Sequence, residues 1–173
     1  VHGENGIDEA SGFSSQADVV IEARRAADIL GATPLDRPED VTPNDATGKV
    51  YAALTNSKER EETNAVNPRA GNLWGQIVEL TPEGRDHASE NFTWTMLVKC
   101  GDPMFPAIGA EWHPEAGRNN WFACPDNMAV DRKGRLWVAT DQGSGWNAAS
   151  SSADGLYALA TTGEKRGLAR RIF

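Results

Sequence analysis

An all-β chain of antiparallel, propeller-like blades, with a single N-terminal helix, is the fold class the sequence predicts, and three observations predict it. Beyond residue 34 the apolar runs are short and separated by Gly, Pro, Asn and Asp, the punctuation of strands and turns. Residues 38 to 56, PEDVTPNDATGKVYAALTN, align with residues 125 to 141, PDNMAVDRKGRLWVATD, when two residues are inserted in the turn. A second pair follows, GQIVELTPEG at 75 to 84 and GLYALATTGE at 155 to 164. A four-stranded meander repeated in tandem is the signature of propeller blades.

The elements follow in order. Residues 15 to 31, SQADVVIEARRAADILG, begin with a capping-box-like Ser15 and Asp18 and place apolar residues at Val19, Val20, Ala23, Ala26, Ala27 and Leu30, which predicts one helix. Gly31 is its stop, and Glu22, Arg24, Arg25 and Asp28 form its wet side. The first blade takes a strand from PEDV, then 49–55, 75–81 and 94–100. The second repeats the pattern with PDNM, 135–141, 155–161 and the start of a closing strand at 169–173. Gly48 and Gly134 occupy the hairpin turns DATGKV and DRKGRL, where a positive φ is needed. Two long loops, 57–72 and 101–120, are too large to be ordinary connections and are read as functional or inserted segments. The domain division expected is 1–33, an N-terminal loop and helix insertion, and 34–173, two blades. Of these, 34–121 is the first, with its long loop, and 122–173 the second, incomplete.

Length and charge limit the function. A chain of 173 residues suits one compact domain or a piece of a larger protein. With a net charge of −8 and no Lys/Arg cluster, nucleic acid is excluded as a partner. No apolar run approaches the roughly 20 residues that cross a bilayer, so no membrane partner is expected and any export signal lies outside this stretch. Cys100 and Cys124 lack zinc-finger spacing and are read either as a disulfide stapling the base of the 101–120 loop or as two buried thiols.

The repeat itself raises a chemical question, because both copies open with Pro, a carboxylate, then Asp or Asn. Inner strands of propeller blades run along a central channel, and the loops feeding them ring its mouth. Glu39 and Asp126 therefore occupy equivalent places and converge. Carboxylates crowded in a channel are tolerable when a cation lies between them, when one is protonated, or when Arg37 compensates. The bland alternative is that Asp40 and Asn127 make local side-chain turns, a role for which Glu39 is poorly suited.

The ordered set DRPEDV, NP, WGQIVEL, FTW with CGDP, and CPDNMAVDRKGRLWVATD resembles the PhoX-type alkaline phosphatases, exported bacterial phosphomonoesterases, over residues 16 to 160. That resemblance implies a six-bladed propeller of which this chain forms about two blades, a periplasmic or secreted location, and a phosphate monoester as substrate. It further implies a channel-mouth site with calcium and iron (Ca2+ and Fe3+), in which Arg37 contacts the phosphate and Glu39 and Asp126 are metal ligands. Hard cations take oxygen ligands, and a planar guanidinium pairs two phosphate oxygens, so the residue types suit the chemistry. The remaining blades of the parent chain would supply the other ligands. Neither Cys100 nor Cys124 matches the family's iron-binding cysteine, and Gln76 stands where relatives often carry His. Two alternatives from other classes are a calcium-binding, lactonase-like propeller hydrolase and a non-catalytic interaction module.

The remaining residues invite quieter readings. His2, His87 and His113 lack metal-ligand spacing and are taken as surface residues. Asp141 is taken as a turn residue, and Trp94, Trp137 and Tyr157 as packing between blades. Trp112 and Trp121 sit in or near a long loop that can serve as a lid. Ser144 and Ser150–Ser152 belong to a Gly/Ser-rich linker without a Gly-x-Ser-x-Gly elbow, so a serine hydrolase is unsupported, as is a nucleotide cofactor.

Overall fold

The computed structural model describes residues 1–145 and 150–173, so the centre of the Gly/Ser-rich linker lies outside the described residues. The chain divides into two compact units, Val1–Pro34 and Leu35–Phe173.

In the first unit the expected helix is two: α1 (Gln16–Ile21) and α2 (Ala23–Ile29), broken where Glu22 leaves helical geometry at φ −101° and ψ 39°. The start is as predicted, with Ser15 Oγ accepting from the Asp18 amide at 3.3 Å. Asp18 answers to the Ser14 amide at 2.9 Å, one residue earlier than a capping box requires. Ile7, Phe13 and Ala26 are buried together with Val19 against them, whereas Val20 and Ile21 are exposed. Arg25 is only partly on the wet side, its side chain 41% exposed. Its guanidinium stacks 4.2 Å from the Phe13 ring centroid and donates to the Ser11 carbonyl.

The second unit is two four-stranded antiparallel meanders, in agreement with the predicted fold class. The first sheet runs β1 (Pro38–Asn44), β2 (Lys49–Leu54), β3 (Gln76–Pro82) and β4 (Phe92–Lys99). The second runs β5 (Pro125–Val130), β6 (Leu136–Thr140), β7 (Leu156–Leu159) and β8 (Ala169–Arg171), each strand pairing with the next. Gly48 and Gly134 take φ +69° and +75°, as the hairpins demand. Gly75 immediately precedes β3 at φ +75°, and a Cβ there would lie 2.2 Å from the Thr55 carbonyl oxygen, so only glycine fits. No helix among the described residues is long and apolar enough to cross a membrane.

Strand alternation decides what the sheets bury. Tyr51, Ala53, Ile77 and Val98 of the first sheet pack with Leu136, Val138, Tyr157 and Leu159 of the second in one core. Phe122, from the connection between the sheets, fills its centre, with ring centroids 4.9 Å from Trp112 and 5.0 Å from Tyr157. Trp112 is therefore packed, partly buried, against the core, and its indole N–H donates to the Gly101 carbonyl at 2.9 Å. Of the three aromatics expected between blades, Tyr157 lies between these two sheets. Trp94 pairs with Leu80 on the opposite face of the first sheet. Trp137 alternates outward from Leu136 and Val138, and its N–H donates to Asp131 at 3.0 Å.

Polar ties join the two sheets as well. Glu79, 3% exposed, accepts from Lys49 Nζ at 2.7 Å and Tyr51 Oη at 3.2 Å within its own sheet and from Arg166 at 3.2 Å across the gap. The 101–120 loop reaches the second sheet too, with the His113 amide donating to Gly167 and Asn120 Nδ2 to Ala169. Of the two readings of the cysteines, the structure takes the second: Cys100 and Cys124 are free, buried thiols. Burial pushes both thiols up, so each stays protonated at mildly alkaline pH.

Two measurements test this packing. Phe122→Ala, which empties the centre of the core, is expected to cost about 3–5 kcal/mol in denaturant unfolding. A thiol reagent at mildly alkaline pH should label neither cysteine in the native protein and both after denaturation; one disulfide-linked pair would contradict the structure.

Candidate functional site

The site grows from the heads of β1 and β5. Arg37 precedes Pro38 and Cys124 precedes Pro125, and both take a left-handed backbone, φ +45° and +52°. Non-glycine residues rarely hold this conformation, which costs about 1–3 kcal/mol. Each is held by the same hydrogen bond: the Arg37 carbonyl accepts from the Thr55 amide and the Cys124 carbonyl from the Asp141 amide, both at 3.0 Å. Thr55 is thus the counterpart of Asp141, and the repeats differ by one inserted residue rather than two.

Immediately after each proline the ladder slips. Pairing shifts register between Pro38 and Asp40, and again between Pro125 and Met128, so Glu39 and Asp126 both fall in bulges. A bulge re-aims a side chain that regular alternation would send to one face of the sheet. β1 and β5 lie side by side, tied by Asp40 Oδ2 accepting from the Met128 amide at 2.6 Å and by Thr42 Oγ1 donating to the Met128 carbonyl at 3.3 Å. Asp40 therefore binds the neighbouring blade rather than closing its own turn. Thr55 Oγ1 donates to the Pro125 carbonyl, and Asn44 Nδ2 to Gly134 at 3.0 Å.

The three residues singled out in the sequence share one neighbourhood. Arg37 Nη2 donates to Glu39 Oε1 at 3.0 Å, with the Arg37 side chain 61% exposed. Asp126 is half-buried, and its carboxyl is raised above the ordinary aspartate value by burial first, then by the charges of Glu39 and Asp141, with Arg37 opposing them. Asp141 is a turn residue as expected, accepting from the Gly143 amide at 3.0 Å, and it adds to the acidic cluster as well. Sequence reasoning missed Asn56. Its Oδ1 accepts from Arg37 Nη1 at 3.1 Å and its Nδ2 contacts Cys124 Sγ at 3.6 Å. Gln76 is buried in a network with Asp36, Asn72 and the Val66 carbonyl.

Chemically, the arrangement presents an exposed guanidinium beside crowded carboxylates, a setting suited to an anion and a hard cation together. Among the described residues no group of three or more His, Cys, Asp or Glu is placed to hold a metal ion.

Comparison with known proteins follows the same direction. The family described as "Alkaline phosphatase PhoX" matches residues 2–172. A solved structure, "Pseudomonas fluorescens PhoX in complex with vanadate, a transition state analogue", is similar at 37% identity and a TM-score of 0.83. The match covers 99% of this chain and 30% of that one, so the chain spans less than a third of the length of that protein. No curated protein matches the chain significantly.

The raised Asp126 has a pH signature. A carboxyl raised on folding favours the native state while protonated, and that contribution is lost as pH rises through the ordinary aspartate value to the raised one. In chelator-treated protein, Asp126→Asn is expected to raise the melting temperature at neutral pH and leave it unchanged in acid. A variant that melts with the wild type at neutral pH as well would show that neither burial nor the neighbouring carboxylates disfavour the charged Asp126.

Proposed function

Because the chain belongs to the PhoX alkaline phosphatase family, we propose that it supplies part of the active site of a metal-dependent phosphomonoesterase. The observation that carries the reading is the convergence of Arg37, Glu39 and Asp126 from equivalent heads of neighbouring blades. Arg37 binds the substrate phosphate. Two of its N–H groups are engaged by Asn56 and Glu39, which orient the plane, and the rest of its five donors stay available to phosphate oxygens.

Glu39 and Asp126 are the metal ligands of this segment, for calcium and ferric iron. Their oxygen donors fit hard cations, and a cation would offset the burial and the neighbouring carboxylate charges that raise Asp126. Bound metal would supply Lewis-acid stabilisation of charge developing at phosphorus. Two carboxylates do not complete a coordination shell, so the other ligands belong to other blades of the same protein. The face of the first sheet turned away from the second supports that partnership. It carries Val41, Phe92 and Trp94, exposed by 61%, 54% and 38%. A neighbouring blade would cover these side chains, and without it the 173 residues are expected to self-associate. The protein acts in the periplasm or outside the cell.

Full-length Arg37→Ala is expected to lose about 100-fold or more in hydrolysis of an aryl phosphate while keeping its calcium. An unchanged rate would overturn the phosphate-binding role of Arg37. The 173 residues alone should be nearly inactive; turnover equal to that of the full-length protein would show that the site is not shared among blades.

A further inference from the structure

We propose that Asn56 is the positioning residue for Arg37, fixing the guanidinium through a buried amide whose other end rests on the Cys124 thiol. The inference rests on the phosphatase reading of the site and deepens it. An arginine that is 61% exposed has many rotamers available, and its own partner Glu39 is itself 32% exposed on a bulged strand. Surface pairs of that kind hold geometry weakly. Asn56 differs: it is 8% exposed, and it directly follows Thr55, whose amide holds the Arg37 carbonyl at 3.0 Å. Adjacent residues thus secure the backbone and the side chain of the same arginine.

The orientation of the amide follows from the donor inventory. A guanidinium only donates, so the Asn56 atom facing it at 3.1 Å is the carbonyl oxygen, and the NH2 group necessarily faces Cys124 Sγ at 3.6 Å. Cys124 in turn donates to the Leu73 carbonyl at 3.2 Å, leaving its sulfur lone pairs for the amide. Cys124 is the counterpart of Arg37 in the second repeat and shares its left-handed backbone. Through Asn56, the head of β5 therefore sets the direction of the arginine at the head of β1, so two blades must be docked correctly before the phosphate-binding group is aimed. The counterpart position in the second repeat, Gln142, turns instead to its own loop, donating to the Ser152 carbonyl at 2.7 Å and to Asp154 at 3.2 Å. The amide link is thus particular to the arginine-bearing blade.

The test uses the full-length protein with Asn56→Ala, Arg37→Ala and the double variant. A positioning role predicts that Asn56→Ala raises KM for an aryl phosphate about tenfold with a smaller change in kcat, weakens inhibition by inorganic phosphate in parallel, and adds nothing in the Arg37→Ala background. Equal losses from Asn56→Ala in both backgrounds would mean a general structural effect and overturn the proposal. A crystal structure of Asn56→Ala, read independently of activity, should show the Arg37 guanidinium dispersed over several rotamers; an undisplaced guanidinium would overturn it as well. If the wild-type protein hydrolyses no phosphomonoester, the functional reading falls, while the crystallographic arm still decides the part played by Asn56.

Discussion

A left-handed residue followed by proline is the constraint on which the rest of the site depends. Proline fixes its own φ, and the residue before it, Arg37 or Cys124, is bent into a conformation that its side chain disfavours. The bend persists because the next strand over-determines it: an amide just beyond β2 or β6 claims the carbonyl of the bent residue. From that bend the inner strand starts one residue out of step, and the bulge at Glu39 or Asp126 follows. The carboxylates are aimed by the backbone bulge, and the contact of Glu39 with the exposed Arg37 guanidinium leaves its second oxygen for a ligand.

Inter-blade docking is the second layer, and it is polar where a simple sandwich would be apolar. An inner strand has one neighbour within its sheet, so its other edge carries backbone groups that must find partners. Asp40 and Thr42 provide them for Met128, and Thr55 for Pro125. Buried Glu79, with Lys49 on its own sheet and Arg166 across the gap, pins the outer part of the same interface. Hydrogen bonds and ion pairs have narrow geometry, whereas a hydrophobic face tolerates sliding. The apolar core holds the sheets together and the polar ties set their register, and on that register depends whether Glu39 and Asp126 meet.

Much of this was legible in the sequence, for physical reasons that can be named. Strand periodicity, turn glycines at 48 and 134, and the doubled Pro-acid motif are local signals, each dictated by backbone geometry at its own residues. The repeat carried information beyond any single stretch, because equivalent residues on adjacent blades point to one axis. It led to the expectation that Glu39 and Asp126 share a neighbourhood, and in the structure the charge of Glu39 acts on Asp126. The broken helix was not legible: the apolar stripe from Val19 to Leu30 satisfies the pattern, yet only Val19 and Ala26 find Ile7 and Phe13 to pack against. Nor was the face on which Trp94 and Trp137 lie, since alternation says that neighbours differ without saying which side is covered.

The sequence by itself determined the number and order of strands, the equivalence of the two repeats, and the residue types gathered at their heads, because these follow from periodicity and local chain geometry. Tertiary structure alone decided that Cys100 and Cys124 remain separate thiols, that Asp40 reaches across to Met128, and that Asn56 joins Arg37 to Cys124. Each of these depends on a distance between residues remote in the chain, and such distances are set only when two sheets pack in one register.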